Sequence, residues 1–132
     1  MKKSELRIGS IVEAVHVKAF KGYSVVKGIK PKKVKLNGTT WLDYSAIKPI
    51  PLTEEWLFKF GFIKKHDENG YCLSLIFKTK SDSINNIIEH KIKGLYLNKS
   101  FCGIRFLNIE YKHVHQLQNL YYALTQTELQ IK

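Results

Sequence analysis

The stretch that decides the fold of the first half is KVKLNGTTWLDY, residues 33–44. Basic and apolar side chains alternate over its first four residues, which is the pattern of a strand with one buried face. The Asn-Gly pair that follows, at 37–38, is a strong tight-turn signal, because both residue types accept positive φ. The stretch therefore predicts two strands joined by a tight turn.

Further strands are predicted on both sides of this stretch. Residues 7–12 and 23–29 are rich in β-branched side chains, and a last short strand is expected at 46–47. Pro49 and Pro51 then stop any strand from continuing. Four or five short strands with turn signals predict a small SH3-like β-barrel. The predicted organisation is a basic SH3-like β unit at 1–50 and an α+β unit at 51–132, together in one compact domain.

The second half has mixed patterns that begin with a short helix. Thr53 is the predicted N-cap, with Glu54 and Glu55 in the first turn and Gly61 as the C-terminal stop. Residues 62–65 and 71–78 are predicted strands that flank a four-residue loop, DENG, at 67–70. The stretch 81–93 fits either a helix or a long loop.

The chain is predicted to end in strands at 101–107 and 109–111, followed by an amphipathic helix at 112–125. Apolar side chains recur there at helical spacing. They are Val114, Leu117, Leu120, Tyr121 and Leu124. The predicted fold class is therefore α+β.

The net charge is the strongest compositional signal. Lys and Arg total 22 against 11 Asp and Glu, a net charge of +11, while 44% apolar residues are typical of a globular protein. Residues 1–52 carry eleven of these cations and only Glu5, Glu13 and Asp43. Such a charge favours a polyanionic partner, RNA or DNA first. Because only two of the cations are arginines, attraction to the phosphate backbone is favoured over base readout.

The candidate nucleic-acid interface is a lysine-rich stretch with interspersed aromatic rings. Ammonium groups displace counterions, and rings offer faces on which unpaired bases stack. The candidate residues are Lys18, Lys21, Tyr23, Lys27, Lys30, Lys32, Lys33, Lys35 and Trp41. The alternative is that these lysines only coat the solvent side of the β unit while the rings fill its core.

No motif for catalysis is found. The sequence has neither a phosphate-cradling glycine loop nor a G-x-S-x-G nucleophile elbow, so we expect no enzyme and no cofactor. His113 and His115, with Glu110 nearby, resemble a metal-ligand set. However, side chains two apart on a helix point in nearly opposite directions, so no metal site is predicted. Cys72 and Cys102 are interpreted as free thiols.

Three stretches together resemble one family. ELRIGS at 5–10 resembles ELRIGN, PLTEEWLFKFGF at 51–62 resembles PLTEEWLLKFGF, and VHQLQNLYYALT at 114–125 resembles VHQLQNLYFALT. In this order they are similar to a family of small uncharacterised proteins of bacterial phages and mobile elements. That family usually continues with T-G-E-E-L. Here Gln126 replaces the glycine, which leaves the end of the last helix open.

The resemblance implies a function through binding. It suggests a non-enzymatic protein that binds RNA or a host ribonucleoprotein such as a CRISPR effector, as an anti-CRISPR inhibitor. A structural or adaptor protein acting through protein contacts and a DNA-binding accessory factor are the alternatives. We expect neither a membrane nor a small-molecule partner. The absence of a long apolar run and of a signal peptide predicts the cytoplasm of the bacterial host.

Overall fold

The chain forms two compact units. The computed structural model describes residues 1–15, 22–38, 40–67, 70–80, 87–97 and 99–132. The first unit contains Met1–Pro51 and His113–Leu120, and the second contains Leu52–Lys112 and Tyr121–Lys132. Each unit contains one five-stranded antiparallel sheet, and a helix ends the chain, so the α+β class is confirmed.

The first sheet has the strand order β4-β3-β2-β1-β5. Its strands are β1 (Ile11–Ala14), β2 (Ser24–Ile29), β3 (Lys33–Leu36), β4 (Thr40–Asp43) and β5 (Ile47–Lys48). A 3₁₀ turn at Tyr44–Ala46 precedes β5. Among the described residues, β4 and β5 do not pair, so the predicted barrel is not closed. β5 has only two residues, so the edge that it offers to a further strand is very short.

The core of the first unit lies on one face of this sheet. Val34 and Leu36 are fully buried there, whereas Lys33 and Lys35 alternate with them toward solvent, as predicted. Asn37 and Gly38 have φ values of 53° and 101°, and the chain turns there into β4. The alternation therefore fixes which lysines are exposed. The buried cluster is Leu6, Val12, Val26, Val34, Leu36 and Ile47.

The first strand begins later than predicted. Residues 7–10 form a turn, in which Ser10 N donates to Arg7 O at 3.0 Å and Gly9 has φ +100°. The prediction of a strand over 7–12 was therefore wrong at its start, because the chain turns at Gly9, the glycine that can mark a bend in such a run.

Buried amide groups fasten α2 (Val114–Thr125) to this turn. Ile11 N donates to Gln118 Oε1 at 2.7 Å, and Gln118 Nε2 donates to Gly9 O at 2.9 Å. Arg7 Nε donates to Asn119 Oδ1 at 2.8 Å. Two of the three stretches that carry the family resemblance are therefore joined by hydrogen bonds.

The second sheet is a meander with the order β10-β9-β8-β7-β6. Its strands are β6 (Ile63–Asp67), β7 (Gly70–Lys80), β8 (Ile87–Leu97), β9 (Ser100–Phe106) and β10 (Ile109–Tyr111). Asp67 pairs with Gly70, so the connection between β6 and β7 is shorter than the predicted four-residue loop. Cys72 in β7 and Cys102 in β9 are free thiols.

The stretch 81–93 was predicted wrongly where the structure describes it. Ile87–Leu97 is a long strand, neither a helix nor a loop, and residues 81–86 lie outside the described residues. Ile88, His90 and Ile92 share one face of β8 with period two, opposite Thr79, Phe77 and Leu75 of β7. The pairing with an eleven-residue strand overrides the local helical pattern.

Both predicted helices are present. In α1 (Glu54–Lys59), Thr53 is the N-cap and its Oγ1 accepts from Trp56 N at 3.4 Å, and Gly61 follows the helix with φ +91°. Helix α2 ends at Thr125. Gln126 takes φ +60° there, the left-handed position that a glycine commonly occupies at helix ends. Neither of these described helices has the length and apolarity to cross a bilayer.

Candidate nucleic-acid interface

Five lysines lie on or beside the hairpin formed by β2 and β3. Lys33 and Lys35 point outward from β3, and Lys30 and Lys32 belong to its connection with β2. Lys27 lies at a bulge, where the register shifts between Val26 and Gly28. Lys35 is half-buried and the other four are exposed. We call Lys27, Lys30, Lys32, Lys33 and Lys35 the hairpin lysines.

The connection of the hairpin is short and held in place. Lys30 N donates to Lys33 O at 2.8 Å, which leaves Pro31 and Lys32 at the tip. Pro31 fixes its own φ, and Tyr44 Oη donates to Lys30 O at 2.6 Å. The ammonium groups therefore project from a defined backbone.

Trp41 lies on the outer face of the sheet. It pairs with Lys35, which in turn pairs with Gly28. A Cβ atom added to Gly28 would lie only 2.9 Å from Trp41 Cη2, so the indole packs directly over this glycine. The lack of a side chain at Gly28 leaves room for the indole ring. Sequence reasoning missed this role, although a lone glycine inside a strand often marks a close approach of another group to the backbone.

Two hairpin lysines approach the Trp41 ring. Lys30 Nζ lies 4.2 Å and Lys35 Nζ lies 5.3 Å from the ring centroid. Both distances are within the range of cation–π attraction, which is worth about 0.5–1 kcal/mol at exposed sites. The lysines and the predicted stacking residue thus form one cluster.

The cluster is strongly unbalanced in charge. Asp43, opposite Lys33, is the only carboxylate in the described strands β2, β3 and β4. None of the hairpin lysines forms an ion pair with a carboxylate within the part of the chain that the structure describes. Five cations against one carboxylate leave a positive surface for an anionic ligand.

Of the remaining candidates, Tyr23 is described and does not join this cluster. Tyr23 is 41% exposed and directly precedes β2, at the end of the strand opposite the connection to β3. It lies roughly 16 Å along the strand from Gly28, given about 3.3 Å per residue. Lys18 and Lys21 lie outside the described residues.

His113 and His115 lie side by side, which corrects the expectation that they point in nearly opposite directions. The reason is that His113 precedes α2, so helical spacing does not apply to the pair. Their rings stack at 5.9 Å with an interplanar angle of 27°, whereas Glu110 is paired with Arg105 at 3.0 Å. No group of three or more potential metal ligands occurs among the described residues. His115 is buried, and its Nδ1 has no hydrogen-bond partner among them. Burial lowers the pKa of His115, the charge of His113 lowers it further, and Glu5 partly offsets both.

We predict that His115 makes the free energy of unfolding decrease at acidic pH. Because its folded-state pKa lies below the ordinary value of 6.5, the neutral imidazole contributes stability that is present above pH 6.5. This contribution is lost as the pH falls from 6.5 toward the folded-state pKa. Chemical denaturation between pH 7.5 and 5 should show a stability slope that is smaller in a His115→Gln variant. The exposed His66→Gln variant should keep the slope of the parent protein, and an unchanged slope in His115→Gln would contradict this origin.

Comparisons with known proteins found no match. No protein-family model, no curated protein and no solved structure matches this chain. Its function is therefore inferred from its own residues.

Proposed function

We propose that this protein binds single-stranded RNA, free or within a host ribonucleoprotein, through the hairpin lysines and Trp41. The observation that carries the proposal is the set of five hairpin lysines, which have no carboxylate partner within the described part of the chain and two of which lie next to the Trp41 indole. Each lysine that meets a phosphate releases condensed counterions, which supplies affinity without sequence preference. Because lysine is a mobile point charge, backbone binding is favoured over base readout.

Trp41 supplies the preference for unpaired bases. Its ring is held over Gly28, and the ammonium groups of Lys30 and Lys35 lie next to it. An unpaired base that stacks on the indole replaces the ammonium groups there, and these groups then meet the phosphates of the same strand. Stacking on an aromatic side chain is worth about 1–3 kcal/mol per base.

Two finer proposals accompany this function. We infer that the first unit is an SH3-like fold, supported by its five-stranded order and the 3₁₀ turn before β5. We also infer an origin in a phage or mobile element, with inhibition of a CRISPR effector as the role. Only the resemblance of the three sequence stretches supports this second inference.

The test is the affinity for a labelled single-stranded RNA of about 20 nucleotides. The variant K30E/K32E/K33E should bind at least about 100-fold more weakly at roughly 0.1 M salt. In the neutralised variant K30Q/K32Q/K33Q, the slope of log affinity against log salt should shrink by about 2, since each single-strand phosphate contact contributes about 0.7.

The matched control is K2E/K3E/K99E, which changes the net charge equally at exposed lysines outside the cluster. It should bind clearly more tightly than K30E/K32E/K33E, because it changes the net charge by the same amount without removing a hairpin lysine. Equal losses in both charge-reversed variants, or none in either, would overturn the proposal. Thermal unfolding of each variant verifies that it is folded.

A further inference from the structure

The second sheet carries a cationic face of its own. In β7 and β8, the side chains of Ile76 and Lys78 share one face with Lys91 and Lys93, and all four are exposed. The opposite face is apolar, with Leu73 and Ile92 fully buried. By register, the exposed members of the cationic face are Ile63, Lys65, Ile76, Lys78, Ile87, Glu89, Lys91, Lys93, Leu97, Ser100, Arg105 and Glu110. We call this set the lysine face.

Its charge is again unbalanced. Arg105 Nη2 lies 3.0 Å from Glu110 Oε1, so these two groups neutralise each other. Four lysines then remain against Glu89 among the described members of the lysine face. An anionic surface is therefore the complementary ligand.

Part of this face lies on a two-stranded ribbon. The pairing of β7 with β6 ends at Ser74, and the pairing of β8 with β9 begins at Lys93. Beyond these points the described residues of the two strands pair only with each other, as far as Lys80 and Ile87. One side of this ribbon is covered, since Phe77 packs on Tyr121 with ring centroids 5.1 Å apart, so its lysine side is the surface that can meet a nucleic-acid duplex.

The lysine face differs from the hairpin cluster in one decisive respect. None of its described members is aromatic, so it has no surface on which unpaired bases stack. In β7 and β8 its isoleucines alternate with charged residues: Ile76 pairs with Lys91 and precedes Lys78 on the same face, and Ile87 precedes Glu89 on that face. They form no continuous apolar patch of the kind that lipid insertion needs.

We propose that the lysine face binds the phosphate backbone of double-helical nucleic acid. This site is independent of the hairpin cluster, which takes single strands under the proposed function. RNA and DNA duplexes share the backbone chemistry, and the ribbon carries the lysines that approach the phosphates on either side of a groove.

The experiment measures binding of a 20-base-pair DNA duplex and an RNA duplex of the same length by the full chain. For K78Q/K91Q/K93Q, duplex affinity should fall at least about tenfold. The slope of log affinity against log salt for B-DNA should shrink by about 2.7, since each phosphate contact contributes about 0.9. Single-strand affinity should change less than about threefold. The control K2Q/K3Q/K99Q should retain both affinities, and the single variants K91Q and K93Q give intermediate losses if the triple variant does not fold.

Several outcomes would overturn this inference without touching the proposed function. One is duplex binding that K78Q/K91Q/K93Q leaves intact and that K30Q/K32Q/K33Q abolishes. Another is the absence of any duplex binding while single strands still bind. A third is binding to phosphatidylserine vesicles that needs the same three lysines when neither duplex binds, which would assign the face to anionic lipid. Single-strand binding that is unchanged in both K30Q/K32Q/K33Q and K78Q/K91Q/K93Q would instead overturn the proposed function.

Discussion

Replacing Gln118 with leucine is expected to lower the free energy of unfolding by about 3 kcal/mol. The side chain is 2% exposed and makes two hydrogen bonds to the backbone, one with Ile11 N and one with Gly9 O. Leucine fills the volume but leaves this donor and this acceptor without partners, and each unsatisfied buried group costs about 1–3 kcal/mol.

Urea denaturation of Gln118→Leu measures this effect. The same substitution at the exposed Gln130 is the control, and it should change stability by less than about 0.5 kcal/mol. A Gln118→Leu variant as stable as the parent protein would show that the amide hydrogen bonds do not hold α2 to the turn at residues 7–10.

Replacing Gly103 with alanine is expected to lower the free energy of unfolding by about 4 kcal/mol. Gly103 has φ +127°, a conformation that costs about 1–3 kcal/mol in residues with a side chain. A Cβ atom there would also lie 2.5 Å from Tyr111 O, a backbone atom. Strands β9 and β10 would have to separate, which adds the cost of overpacking, about 1–3 kcal/mol.

Gly38 supplies the matched control for this substitution. It also has a positive φ, +101°, but nothing lies within 4 Å of its added Cβ. Gly38→Ala should therefore show only the backbone strain, and Gly103→Ala should lose clearly more stability in the same denaturation experiment. Equal losses would remove the steric contact as the cause.

The sequence predicts local structure well where one residue pattern determines it. The alternation over 33–36 and the Asn-Gly turn predict the exposed lysines of β3, because period two leaves only one choice of face. The N-cap at Thr53 and the helix end at Gly61 were predicted for the same reason, because each depends on a single residue type at one position. Ile87 and Ile88, which fit a helical face, were misread because their strand is stabilised by pairing with β7, and pairing between distant segments leaves no periodic signal of its own.

The candidate site is predictable in composition but not in geometry. The sequence places the lysines and Trp41 in one short stretch. In the structure, the ammonium groups of Lys30 and Lys35 lie next to the Trp41 ring. The packing of Trp41 over Gly28 depends on the bulge at Lys27. This bulge shifts the register between β2 and β3, so that Gly28 pairs with Lys35. The lone glycine inside β2 is the only sequence signal for this packing, and it does not reveal which ring packs there. Tyr23, which is equally aromatic, precedes β2 at the other end of the strand.

The lysine face shows the same limitation. Its cations come from strands β6, β7, β8 and β9, and they share a face only through the register of those strands. In the sequence they lie among acidic residues, and the charge of the second half looks nearly balanced. Only the pairing separates the exposed lysines from the apolar side chains between them.

The most direct test of single-strand binding at the hairpin is chemical-shift mapping on the full chain, titrated with a single-stranded RNA. The largest changes should occur at the Trp41 indole N–H and at the backbone amides of residues 27–35. Binding that shifts other resonances and leaves the Trp41 indole and these amides in place would contradict the proposed interface.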